Sequence, residues 1–351
     1  MFRALSSFRL SMVLASACAV IFPACGKDLE APSRVAVHTL TLGAYTTPRE
    51  VYGREILPAF ARHWKERTGG VVEFQESYLA SGAQSRAIVD GFAADVAALS
   101  LEADIERIAE AGLITHDWRS GPAGGMVCRS IVVLAVRAGN PRNIRDWDDL
   151  RRSDVKVLTP SPRTSGGAMW NIAALYGAVL RGATSAPRDD PQAAEAFLRD
   201  VLKNVEIMDK GARESMITFE NGIGDVAITY ENEVLVGRIA GKDYAYVVPR
   251  ATILIENPVA VVDRYAEAHG NQELAAAFVE FLLTPEAQRA FGRFGLRAVD
   301  GEVMKELDLH MPRVSEPFTI RDLGGWPQVI EELFAAGAAF ERASAAAQEG
   351  R

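Results

Sequence analysis

VKVLTPSPRTSGGAMWNIAALYGAVL, residues 155–180, is the stretch on which the reading of this chain turns. Val155 to Leu158 is a short apolar run of strand type, and Ala168 to Leu180 has the length and composition of a buried helix. Between them lies Thr159-Pro160-Ser161-Pro162-Arg163-Thr164-Ser165-Gly166-Gly167, a turn-rich lead that feeds a helix N-terminus. Ser165 offers a hydroxyl, and Gly166 and Gly167 let the backbone approach a ligand while the first-turn N–H groups point outward. That is the chemistry of an anion site. The same residues also make an ordinary Ser N-cap with a glycine entry.

Working outward, two more junctions have this character. Ser77-Tyr78-Leu79-Ala80-Ser81-Gly82-Ala83-Gln84 follows a strand at Val71 to Gln75 and precedes a helix from Gln84 to Gly91. Ala44-Tyr45-Thr46-Thr47-Pro48-Arg49-Glu50 follows the alternating strand Val35 to Leu42 and opens the helical pattern Arg49 to Thr68, with Pro48 near its start. Further strands fall at Val96 to Leu99, Ile131 to Val136, Val205 to Met208, Val226 to Tyr230, Tyr244 to Val248 and Thr252 to Val262. Helices are expected at Gln192 to Leu202, Asn271 to Leu283, Pro285 to Phe294 and, finally, Gln328 to Ala346. This β/α alternation predicts mostly parallel, helix-covered sheets in two sets facing one another across a cleft. Ligands of such sheets sit at the carboxyl ends of strands.

The chain has 351 residues, 48% hydrophobic and 24% charged, enough for two domains or one two-lobed unit. Its 38 basic residues against 46 acidic ones, net −8, lack the basic footprint of a nucleic-acid binder. The histidines His38, His63, His116, His269 and His310 are scattered, and none pairs with Cys or another His at metal-ligand spacing, so neither metal nor cofactor is expected. There is no G-x-S-x-G elbow, and the loop after Ser165 lacks the Lys of a phosphate-cleaving loop. Catalysis finds no foothold. Pairs such as Asp189-Asp190 and Glu231 with Glu233 read as solvated faces or hinge hydrogen-bond partners.

Residues 1–24 read as an export signal: Arg3 and Arg9 precede the uncharged run Leu10 to Phe22, which is shorter than the ~20 apolar residues a span requires. Phe22-Pro23-Ala24-Cys25 resembles a bacterial lipoprotein cleavage box, which makes Cys25 the lipid-bearing first residue and 25–34 a tether; ordinary signal cleavage is the alternative. Without 1–24 the balance is 36 basic to 46 acidic residues, net −10. Cys128 adjoins an apolar strand and reads as a buried small hydrophobe with no internal disulfide partner.

From about Val37 to Phe340 the chain resembles the periplasmic sulfate-binding proteins that feed ABC-type sulfate/thiosulfate importers. The resemblance runs in order through Tyr45 to Glu50, His63-Trp64-Lys65, Ser81-Gly82, Ala94-Asp95-Val96, Arg137 to Pro141 and Asp146 to Leu150. It continues through Thr164 to Asn171, Gly211-Ala212-Arg213, Gly222 to Val226, Glu231-Asn232-Glu233, and Phe318-Thr319-Ile320 to Gly324-Gly325-Trp326. The resemblance implies a two-lobed periplasmic-binding-protein fold, each α/β lobe a mostly parallel sheet flanked by helices, with a hinge between them. Lobe 1 is then 35–128 plus 254–345, and lobe 2 is 129–253. It further implies a monomeric, non-enzymatic protein outside the cytoplasm that holds a sulfate dianion by neutral donors and delivers it to permease subunits. Ser81, Ser165, Gly166, Gly167 and Ala212 match the ligand positions by motif. Thr46 and Tyr230 stand where the family usually has Asp, used through its backbone N–H, and Trp. Arg213 is expected behind the ligand, orienting the Ala212 loop. A site for another tetrahedral oxyanion, molybdate or phosphate, and an enzyme or sensor on the same framework are the alternative readings.

Overall fold

The structure is a computed structural model that describes residues 37–307 and 311–349. The signal, tether and Cys25 assignments lie outside the described residues. Strands β1 (Val37–Tyr45), β2 (Val71–Leu79) and β3 (Val96–Ala98) run parallel in the order β2-β1-β3. β4 (Met126–Arg137) follows, then β5 (Val157–Leu158), β6 (Val205–Ile207) and β7 (Val226–Tyr230), which are parallel in the order β7-β5-β6. β8 (Tyr244–Val247) is antiparallel to β4, and β9 (Ala251–Val261) joins the two parallel sets. β10 (Arg297–Ala298) edges β4, and β11 (Glu316–Phe318) edges β9.

The two long strands explain the architecture. Ile131 to Met126 of β4 pairs antiparallel with Leu254 to Pro258 of β9, then Val132 to Val136 of β4 pairs with β7 while Val259 to Val261 of β9 pairs with β3. Each strand therefore serves both halves. β9 runs through Pro258 without a break. Because β1 to β3 and β5 to β7 are parallel within their sets, their carboxyl ends gather the loops after Tyr45, Leu79, Ala98, Leu158, Ile207 and Tyr230.

One core, around Trp147, Trp170, Phe197 and Val226, fills the second half; another, around Tyr52, Phe60, Phe278 and Phe291, fills the first. The helix Gly166–Leu180 is buried nearly all round, as its apolar composition requires. The lobe boundaries read from the sequence need one correction, since 254–345 was given to the first lobe. Phe318, Ile320, Trp326, Leu333 and Phe340 are buried with Trp170 and Phe197, so the stretch from Glu316 packs on the second core. The expected single helix Gln328 to Ala346 is also interrupted. It ends at Phe334, and the chain turns through Gly337, with φ of +73°, before the helix Ala339–Glu349. Among the described residues no helix is long and apolar enough to cross a membrane.

Candidate functional site

The loops at the strand ends meet at a buried, largely polar junction. Ser165 is the N-cap of Gly166–Leu180 in extended conformation, its Oγ accepting from Ala168 N at 3.3 Å. That bond uses an acceptor lone pair and leaves the hydroxyl proton free to donate. The two glycines are there for closeness. A Cβ on Gly166 would stand 2.8 Å from Leu101 Cδ2 and from Ser100 Oγ, and one on Gly167 2.8 Å from Tyr230 Cε2. Ala212 opens the helix Ala212–Glu220 behind an extended Gly211, and its Cβ lies 3.3 Å from the position a Gly167 Cβ would take. Gly166, Gly167, Ala212 and Tyr230 thus come together around one helix start.

Ser81 arrives from the other half with its hydroxyl already engaged. The helix begins at Ser81, not Gln84, and Ser81 is its first residue, since the N-cap is Ala80 with no side-chain bond. Its Oγ donates to buried Asp104 Oδ2 at 2.6 Å and accepts from Ser100 N at 2.9 Å. The group it leaves toward a ligand is the first-turn backbone N–H. Asp104 is held in turn by Arg107 Nη1 at 2.7 Å. Thr46 is half-buried in the turn after β1, its carbonyl accepting from Arg49 N at 3.2 Å. Its neighbours Tyr45 and Thr47 are buried, with hydroxyls that make no hydrogen bond of ordinary geometry. The Tyr45 ring centroid lies 6.4 Å from that of Tyr230.

Ser100 is the residue that sequence reasoning missed. Its N–H donates to Ser81, its carbonyl accepts from Trp170 Nε1 and Asn257 Nδ2, both at 2.9 Å, and its Oγ lies 2.6 Å from Tyr230 Oη. One fully buried serine therefore ties Ser81, the Gly166 helix and Tyr230 to a common point. Burial pushes the Tyr230 phenol well above the usual range, so it stays protonated.

The charged groups flanking this junction are paired with one another: Asp104 with Arg107 behind Ser81, and Arg213 with two carboxylates beside Ala212. Arg213 donates through Nη2 to Glu50 Oε2 at 2.8 Å, and its Nε lies 3.0 Å from Glu233 Oε2. It reaches across to the first half rather than only bracing the Ala212 loop. Burial pushes the Glu233 carboxyl up, against the pull of Arg213. Burial also works against the charge of Arg213, but Glu233 and Glu50 hold it above its ordinary value. Further contacts close the halves: Ala83 N donates to Thr164 O at 3.3 Å, and Arg86 Nη2 to Arg163 O at 3.4 Å. Open surface grooves lie elsewhere, one of about 750 Å³ between Tyr176, Arg181, Leu323 and Glu332. No group of three or more His, Cys, Asp or Glu among the described residues is placed to hold a metal ion.

The sequence profile of the bacterial extracellular solute-binding proteins matches residues 40–297. The chain belongs to that family. It is 41% identical over 340 residues to a sulfate-binding protein of Synechococcus elongatus, covering 96% of this chain and 95% of that one. It is 36% identical over 310 residues to a thiosulfate-binding protein of Escherichia coli, covering 86% of this chain and 90% of the relative. Among solved structures, the sulfate-binding protein SubI from Mycobacterium tuberculosis superposes with a TM-score of 0.78 at 38% identity, over 85% of this chain and 99% of that one. The α/β fold with helices flanking its sheets is that of the periplasmic binding proteins.

Proposed function

We propose that this solute-binding protein captures sulfate, or the closely similar thiosulfate, between its two halves and delivers it to an ABC-type importer without chemical change. The observation that carries the reading is the helix start at Ser165-Gly166-Gly167, where a free hydroxyl proton and first-turn N–H groups meet Ala212 and Tyr230 at a buried junction, with the neighbouring Arg213 already paired with two carboxylates. A fully ionised dianion needs donors and no acceptors. Such a junction suits it, with helix-end dipoles supplying the compensating partial charge. In this reading Ser165, Gly166, Gly167, Ala212 and Tyr230 contact the anion, and Thr46 and Ser81 contribute backbone N–H groups. The halves part about β4 and β9 to release it. A lipid anchor at Cys25 belongs to the same proposal and rests on the sequence of residues 10–25 alone.

Titration calorimetry of the purified protein with sulfate, thiosulfate, molybdate and phosphate tests this. Sulfate or thiosulfate should give the strongest binding. Ser165→Ala, which removes a charge-assisted hydrogen bond worth about 1.5–3 kcal/mol, should weaken it by about ten- to a hundredfold. Absence of heat with all four anions would overturn the reading.

A further inference from the structure

We infer that Ser100 is a specificity-determining positioning residue: its hydroxyl donates to the Tyr230 phenol oxygen, so that Tyr230 meets the ligand only as a hydrogen-bond donor. The inference rests on the proposed anion site and deepens it. A phenol is ambivalent, able to donate its proton or accept one on its oxygen. Left to itself, Tyr230 would serve a proton-bearing anion such as hydrogen phosphate as readily as a proton-free one such as sulfate.

The geometry removes that freedom. Ser100 is fully buried, and Tyr230 Oη at 2.6 Å is the hydrogen-bond partner the structure gives its Oγ. The carbonyl of Ser100 is engaged by Trp170 and Asn257, and its N–H by Ser81, which fixes the backbone and with it the direction of the hydroxyl. If Tyr230 donated to Ser100, the serine proton would be left buried without a protein acceptor among the described residues. If Ser100 donates to Tyr230, the phenol proton is turned away from Ser100, and an anion oxygen beside the Gly167 turn can accept it. The Tyr230 ring edge lies against that turn, with Cε2 2.8 Å from where a Gly167 Cβ would be. The second arrangement satisfies both protons when an anion sits at the Gly167 turn. It also occupies an acceptor position on the phenol oxygen that an acidic ligand proton would otherwise use.

Ser81 provides the internal contrast. Its hydroxyl likewise accepts from Ser100, through the backbone N–H, but donates onward to Asp104. One chain from Ser100 ends on a carboxylate, the other at the ligand.

The test is a competition titration of sulfate against inorganic phosphate, followed at fixed pH, on wild type, Ser100→Ala, Ser100→Cys, Tyr230→Phe and the Ser100→Ala/Tyr230→Phe double variant. Ser100→Ala should lower the sulfate-over-phosphate affinity ratio by about tenfold, or about 1.4 kcal/mol, with sulfate affinity itself falling by less than that factor. Ser100→Cys, carrying a weaker donor, should fall between alanine and serine. In the Tyr230→Phe background the alanine substitution should leave the ratio unchanged, because the phenol through which it acts is gone; a merely structural effect would persist there. An unchanged ratio in Ser100→Ala and Ser100→Cys, or an equal change in the Phe background, overturns the inference. Failure of the wild type to bind sulfate at all instead overturns the proposed function, so the two failures are distinguishable.

Discussion

Two sets of contacts bridge the halves, and they are made of opposite materials. Around Ser100 the bridging groups are neutral: its hydroxyl against the Tyr230 phenol, and its carbonyl accepting from the Trp170 indole N–H. Around Arg213 the bridge is ionic, one guanidinium between Glu50 and the buried Glu233. The difference separates two tasks that a single cation at the junction would merge. A fixed positive charge attracts any anion, whereas directional donors without acceptors discriminate by protonation state. Arg213, already matched by two carboxylates, offers a ligand no surplus charge. On the proposed reading Arg213 holds closure, while the neutral set chooses what is closed upon.

The largest effect expected from breaking this division is Arg213→Met. It leaves Glu233 buried without its cation, and removing one member of a buried pair costs about 3–5 kcal/mol. Urea unfolding should show a loss approaching that size, moderated because the Arg213 side chain keeps 23% of its surface exposed. The sulfate-over-phosphate ratio of the folded fraction should stay near that of the wild type. A collapse of that ratio would mean that the ionic bridge also selects.

The neutral set was the harder one to read from the sequence. The segment 155–180 announced itself: a strand, a Pro- and Gly-rich lead and a long apolar helix give Ser165 its cap position by local rules alone. Ser100 had no such signal, since a lone serine after the three-residue strand Val96–Ala98 carries no motif and its partners lie 19, 70, 130 and 157 positions away. Ser-Gly is a poor helix former, so local propensity alone does not start this helix at Ser81. The turn is held in helical form from outside, by Ala83 N donating to Thr164 O across the cleft. The packing of residues 316–349 on the second core was invisible for a related reason, as an amphipathic pattern shows that a face is buried but not against what.

A pH series sharpens the ionic side. Glu233 is held above the ordinary carboxyl value of 4.5 chiefly by burial. A carboxyl raised in the folded state binds a proton there over a range in which the unfolded chain has lost it. Its contribution to stability is therefore greatest in acid and is lost as pH rises from the ordinary value through the raised one. The difference in unfolding free energy between wild type and Glu233→Gln should accordingly shift against the wild type from about pH 4.5 upward. A flat difference would show that Glu233 titrates as a free side chain, and the ionic bridge would lose its buried anchor.

Glu50→Gln should have the smallest effect and is the most pointed test of the comparison. Glu50 and Arg213 keep 26% and 23% of their side-chain surfaces exposed, so this half of the bridge is solvent-screened and worth about 1 kcal/mol or less. It joins the two halves, so on the proposed reading its loss should fall on closure rather than folding. Affinity for sulfate and phosphate should decline together, by about fivefold at most, with their ratio unchanged. Ser100→Ala should do the reverse, moving the ratio more than the sulfate affinity. If both variants moved the ratio alike, the cleft would be one coupled network, and the separation of closing from choosing would not hold.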